Sequence, residues 1–309
     1  MSLAAAPNLD VATLNDRYAI DDRLRFYSGA GDLPMVAIRT PQAEAVISLY
    51  GGQVLSFIPA GESDLLFLSK LAYYQAGKAI KGGVPICWPW FGADPEGQGR
   101  PAHGFARNSF WQVLTTSVTA SGALRLLLTL PATEASRAIW PHPYELNLEI
   151  EVSEVLKLTL ITRNCGDEPF VITQALHTYF AIGDIAQTTV EGLADCDYID
   201  KAGGGQVNKQ IGSVTVSAEV DRIYQRCGSP LAIIDGAAGR KIDIASGGSA
   251  TAVVWNPWAA ITASMADLND DDYHHFICVE SANAADEVVH LQPGASYQLT
   301  AVYRTMPLS

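Results

Sequence analysis

The chain has 309 residues, 48% hydrophobic and 17% charged, with a net charge of −13. That is enough apolar material for a sizeable core. The acidic balance argues against nucleic acid and anionic membrane surfaces as partners, so any anion site must be locally basic. Cys87, Cys165, Cys196, Cys227 and Cys278 are odd in number, widely spaced and lack a CxxC pair. They read as reduced thiols of a cytoplasmic protein, with neither a disulfide framework nor a zinc site. The opening MSLAAAPNLDVATL lacks the basic start and apolar run of a signal peptide. No run approaches the roughly 18 apolar residues of a membrane span.

Residues 1–23 read as a short helical lead-in around Leu14, Tyr18 and Ile20, and 24–309 as one β domain. From Leu24 onward, short runs rich in Val, Ile, Leu, Phe and Tyr recur between turn residues. MVAIRT (35–40), AVISLY (45–50), GQVLSFIP (52–59) and DLLFLS (64–69) form the first group. FWQVLTTSVTA and ALRLLLTLPA follow as strands joined at Ser121–Gly122. In YELNLEIEVS (144–153), Leu146, Leu148, Ile150 and Val152 face one way and Asn147, Glu149 and Glu151 the other. This period of two, repeated in VLKLTLITRN (155–164), predicts antiparallel strands with one wet face. PFVITQALHTYFAI (169–182) reads as a central strand buried on both faces. The rhythm continues to FICVES (276–281) and SYQLTAVYR (296–304), with no helix longer than about three turns. Many strands with almost no helix predict one large antiparallel β-sandwich or barrel, with two β domains as the less favoured alternative.

The stretch Lys81–Arg107 interrupts this rhythm. Pro85, Pro89, Pro95 and Pro101 rule out a regular helix, and Gly82–Gly83 permit positive φ. An ordered loop carrying Trp, His and Arg suits a binding surface; a structural loop over a core edge is the plainer reading. Residues 70–107 hold five basic side chains (Lys70, Lys78, Lys81, Arg100, Arg107) against Asp94 and Glu96. That is a local excess of the kind a compact anionic group requires. His103 lies in this loop between Ala102 and Gly104, in an accessible setting.

Three further positions need a reason. His177 lies in the apolar run QALHTYF, either as a core histidine held by backbone groups or as a working one. Glu280 ends the β run FICV, where a carboxylate is costly unless paired or acting as a base. Asp221 is an acid inside the strand-like EVDRIY. His142, between two prolines, reads as structural, and His274–His275 as a solvated turn after Asp270–Asp272. No phosphate-binding glycine loop opening a helix and no G-x-S-x-G elbow is present.

KGGVPICWPWFG, PAHGFARNSFW, LHTYF, VDRIY, VVWNPW and ICVE occur in this order. Together they resemble the hexose-6-phosphate mutarotase (glucose-6-phosphate 1-epimerase) branch of the aldose 1-epimerase superfamily, over nearly the whole chain. The resemblance implies a galactose-mutarotase-like β-sandwich that exchanges the α and β anomers of an aldohexose 6-phosphate. It implies His177 and Glu280 as the acid–base pair and His103 beside the sugar. It implies Asp221 on sugar hydroxyls, and Lys81 and Arg107 lining the substrate site. In that family the GGxP motif is commonly preceded by Arg; here the residue is Lys81, which keeps the charge without the bidentate fork.

Anomer exchange removes a proton from the C1 hydroxyl and protonates the ring oxygen. It calls for two positioned groups and for neither cofactor nor metal; a carboxylate is a competent base and a histidine a competent acid. The expectation is Glu280 as base, His177 as acid and His103 as a stabilising donor. Trp258, or Trp88 or Trp90, would stack on the sugar, with a core or packing role the equal alternative for each. The expected partner is a small sugar phosphate, on a monomer or weak dimer. A free-aldose mutarotase and a non-catalytic carbohydrate-binding protein are the alternatives on the same fold.

Overall fold

The structure, a computed structural model, describes residues 10–228 and 230–308. Tyr144–Val152 illustrates how the pattern becomes structure. Every second residue, from Tyr144 through Leu146, Leu148 and Ile150 to Val152, is buried, while the residues between reach the surface. Leu156–Asn164 pairs with it without a slip, from Leu156 opposite Val152 to Asn164 opposite Tyr144. A one-residue slip would turn the whole apolar set outward, so burial pins the register.

These two strands sit in a nine-stranded antiparallel sheet. Its order runs Val214–Thr215, Thr188–Glu191, Leu231–Asp235, Arg240–Gly247, Ser296–Pro307, Leu156–Asn164, Tyr144–Val152, Leu124–Thr129 and Gln112–Val118. A second sheet runs Gln206–Lys209, Asp197–Asp200, Val220–Gln225, Thr251–Asn256, Phe276–Asn283, Gln174–Leu176 and Ile86–Cys87, with Tyr179–Ala181 also paired to Phe276–Asn283. The two sheets meet through buried side chains. The Phe180 ring lies 5.0 Å from Tyr303, the Thr178 and Tyr303 hydroxyls are 2.5 Å apart, and Trp88 Nε1 donates to Thr162 Oγ1 at 3.0 Å. The result is a large antiparallel β-sandwich. A four-stranded sheet, Leu24–Ser28 to Gln53–Pro59, packs its apolar face into the same core.

Among the described residues only three α-helices occur, Val11–Tyr18, Glu134–Ile139 and Trp258–Ser264, each near two turns or shorter. The first begins at Asp10, whose carboxylate caps Thr13 N–H at 2.9 Å. No helix among them is long and apolar enough to cross a membrane.

Two expectations need correction. DLLFLS (64–69) makes only isolated bridges, Leu66 to Phe180 and Leu68 to Gly82. The run 169–182 is three short strands, Phe170–Ile172, Gln174–Leu176 and Tyr179–Ala181. The last break falls at His177–Thr178. There His177 N–H donates to Pro85 O at 3.0 Å and Thr178 N–H to its own Leu176 O at 2.9 Å. The middle piece, Gln174–Leu176, is buried along its whole length, as is its longer neighbour Phe276–Asn283.

Candidate active site

Strand register builds the floor of the site. Leu176 pairs with Ser281 and Tyr179 with Cys278, and this register sets His177 opposite Glu280. Glu280 pairs on its other side with Val253, Val253 with Ile223, and Ile223 with Ile199. Directly opposite residues of antiparallel strands share a face, as do residues two apart on one strand. A neighbouring row of the same face therefore holds Asp221, Trp255, Cys278 and Tyr179. All of these row residues except Cys278, with Phe91, His103, Arg107 and Lys81 from the loop Lys81–Arg107, enclose a cavity of about 660 Å³.

The loop reaches the cavity because its glycines let it pack tightly. Gly104 has φ +72°, and a Cβ there would overlap the carbonyl of Trp88. His103, at φ +62°, is turned inward beside it. Its Nδ1 accepts the Gly92 N–H at 3.3 Å, which places the ring proton on Nε2. Burial, with the positive charges of Arg107 and Lys81, pushes His103 down to about 3, so it stays a neutral donor near neutral pH.

His177 and Glu280 are 8% and 2% exposed, with Nδ1 3.4 Å from Oε1. Yet among the described residues neither His177 Nδ1 nor Glu280 Oε2 has a hydrogen-bond partner. An unsatisfied buried polar group costs about 1–3 kcal/mol, and this site carries two side by side. Burial, and then the nearby Asp221 carboxylate, raise Glu280 well above the ordinary glutamate range. Burial, His103, Arg107 and Lys81 hold His177 well below the ordinary histidine range. Both shifts favour the uncharged pair. The His177 ring lies flat against Tyr179, 5.0 Å away and 10° from parallel, which fixes its orientation.

His177, Glu280, His103, Lys81, Arg107 and Asp221 thus all line one cavity. Trp258 does not. The strand Thr251–Asn256 ends before Pro257, and Trp258 opens the following helix, with its ring 5.1 Å from Tyr273. The tryptophan on the cavity face is Trp255, which keeps the strand parity of Val253. Trp88 and Trp90 are core residues: Trp88 packs on Phe105, Trp140 and Tyr144, and Trp90 bonds Pro101 O and carries Arg100 over its ring. Arg100 is not a site cation either, because Asp94 at 2.6 Å and Glu96 at 3.2 Å hold it.

Sequence reasoning missed Tyr179, Trp255, Lys201 and Met265. Tyr179 and Trp255 carried a signal in the alternation of strands already assigned, two residues from His177 and from Val253. Lys201 and Met265 lie in turns and carried none. His142 packs on Trp140 and Phe170, as a structural residue does. Among the described residues no group of three or more His, Cys, Asp or Glu side chains could hold a metal ion.

This architecture is of the galactose mutarotase-like class. The solved structure of a galactose mutarotase related enzyme from Lactobacillus acidophilus matches it with a TM-score of 0.69 at 15% identity, over 88% of this chain and 97% of that one. The chain belongs to the aldose 1-epimerase family, whose model matches residues 34–304. It is therefore an isomerase of the aldose 1-epimerase type. A relative from Escherichia coli (strain K12), named "Putative glucose-6-phosphate 1-epimerase", is 38% identical over 82% of this chain and 85% of its own length. The crystal structure of a "putative mutarotase" from Salmonella typhimurium matches with a TM-score of 0.87 at 33% identity, covering 94% of this chain and 96% of that one.

Proposed function

We propose that this protein interconverts the α and β anomers of an aldohexose 6-phosphate, with glucose 6-phosphate as the substrate. The observation that carries the reading is the facing pair of buried, unsatisfied groups, His177 and Glu280, 3.4 Å apart on the floor of a cavity with cations at its rim. The name of the Escherichia coli relative supports the choice of substrate.

Glu280 takes the proton from the C1 hydroxyl while His177 delivers one to the ring oxygen. The C1–O5 bond breaks and leaves an open aldehyde with a C5 hydroxyl. Rotation about C1–C2 presents the other face of the carbonyl, and closure returns both protons to where they began. No atom is gained or lost, and each enzyme group ends as it started. The reactive form arises when the proton of the resting, uncharged Glu280 passes to His177, 3.4 Å away; opening then returns this charged pair to the neutral form that burial favours. The open stage therefore adds no charge to a site that resists it. His103 Nε2–H, neutral near pH 7, donates to the sugar oxygen on which negative charge develops. Asp221 accepts hydroxyl protons of the sugar, and the phosphate meets Arg107 and Lys81. Acid–base catalysis of this kind is worth about 10²–10⁴-fold.

A free aldose is the second reading, because the Lys81 ammonium is already partnered by Asp267 at 3.5 Å. Anomer exchange followed by NMR with glucose 6-phosphate and with free glucose, each against a protein-free control, separates them. Faster exchange of the phosphate is the expected result. Equal acceleration of both sugars would remove the phosphate preference, and no acceleration of either would remove the enzyme mechanism.

A further inference from the structure

Beside the main cavity lies a second one of about 250 Å³, which shares Lys81, Arg107 and Tyr179 as a common wall. Its remaining lining includes Lys78, Tyr73 and Asp267. Among the described residues Asp267 is its only acid, and its Oδ2 stands 3.5 Å from Lys81 Nζ. The two side chains are 19% and 18% exposed, so water screens the pair far less than a surface ion pair. Two residues earlier, the Met265 sulfur caps the same ammonium at 3.9 Å and faces the main cavity. The turn Met265–Asp267, which follows the helix Trp258–Ser264, thus contacts the Lys81 ammonium on the side of each cavity. Arg107 differs: among the described residues its Nη2 bonds only the neutral Ala102 carbonyl, and its Nε is buried without a partner.

We propose that Asp267 is a specificity-determining residue that holds down the affinity of the cavity for phosphorylated sugars. The inference rests on the reading of Lys81 and Arg107 as the phosphate-binding cations. With Asp267 in place, Lys81 presents little net charge to an incoming anion, and the carboxylate itself repels the phosphate. Arg107 then supplies most of the attraction. Like and opposite charges at these separations act strongly when partly buried, so one added carboxylate moves anion affinity substantially. A free aldose carries no charge and does not feel this balance. Asp267 therefore tunes the ratio between charged and uncharged substrates, while His177 and Glu280 perform the same chemistry on both.

The test uses the full-length chain and its Asp267→Asn variant, which keeps shape and removes charge. Binding of inorganic phosphate at low ionic strength, read by intrinsic tryptophan fluorescence or by thermal shift, should tighten about tenfold in the variant. The ratio of kcat/KM for glucose 6-phosphate over free glucose should rise by a similar factor, through KM rather than kcat. Adding Lys81→Met should cost more phosphate affinity in the Asp267→Asn background than in the wild type, since only there is the ammonium unopposed. Unchanged or weakened phosphate binding in Asp267→Asn would overturn the proposal and make Asp267 a positioning group for Lys81. If the wild type exchanges neither sugar, the catalytic reading falls, and the phosphate-binding arm still decides the role of Asp267.

Discussion

Two buried acid–base pairs stand at nearly the same separation in this molecule and do opposite things. In the nine-stranded sheet, Asp235 and Arg240 are cross-strand partners with Oδ2 and Nε 3.5 Å apart. Asp235 accepts the Gly183 N–H at 3.1 and 3.2 Å and the Ala238 N–H at 3.1 Å. Arg240 donates to the carbonyls of Ala181 at 2.7 Å and Asp64 at 3.4 Å, and to Ser63 Oγ at 3.3 Å. This pair ties segments far apart in sequence together. In the other sheet, His177 and Glu280 face each other at 3.4 Å with unsatisfied atoms on both sides. Among the described residues the first pair has six hydrogen bonds to other groups that make buried charge tolerable, and its one atom outside them, Arg240 Nε, faces the Asp235 carboxylate. The second lacks them, and a sugar hydroxyl and ring oxygen are the partners it fits. Equal burial and equal distance do not reveal a role; the inventory of remaining hydrogen bonds does.

Breaking each pair should separate stability from activity. The largest effect expected is on rate: Glu280→Gln should lower anomer exchange by about 10²–10⁴-fold while the protein stays folded. Asp235→Asn should do the reverse. It leaves a buried guanidinium without its counter-charge and should cost about 3–5 kcal/mol of stability in denaturant melts. The protein that remains folded should keep its exchange activity.

The two acids should also differ in how stability follows pH. Glu280 has its folded value raised above 4.5, so the stability tied to its protonation is present below that pH and fades as pH rises through the folded value. Glu280→Gln carries no such titration. Melting curves from pH 4 to pH 8 should show the variant gaining on the wild type as pH rises. A constant difference across that range would mean that Glu280 is ionised in the folded protein. The smallest effect distinguishes the two tryptophans. Trp255→Ala should raise KM, whereas Trp258→Ala, which removes packing against the core and Tyr273 away from the cavity, should lower stability and leave KM within about twofold of the wild type.

Much of this was legible in the chain. The alternation in 144–164 gave both strands and their wet face, because a half-buried antiparallel strand has to alternate. The polar residues set in apolar runs, His177 and Glu280, stood out for the same reason: burial makes them expensive. What stayed hidden depended on partners distant in sequence. Asp267 pairs with Lys81 across 186 positions, and Met265 covers the same ammonium. Trp258 was misplaced because composition does not show where a strand ends. The strand stops at Asn256, whose side chain is drawn back to the carbonyls of Tyr273 and Phe276 and accepts the Trp258 N–H. The five-to-two excess of basic residues overstated the site, since Asp94 and Glu96 take up Arg100.

The most direct test of the central claim is the exchange rate of glucose 6-phosphate anomers, measured by NMR magnetisation transfer for the wild type and for Glu280→Gln under identical conditions. The account predicts exchange well above the spontaneous rate for the wild type and close to it for the variant, with both proteins showing the same cooperative melt. A Glu280→Gln protein that exchanged anomers as fast as the wild type would contradict it.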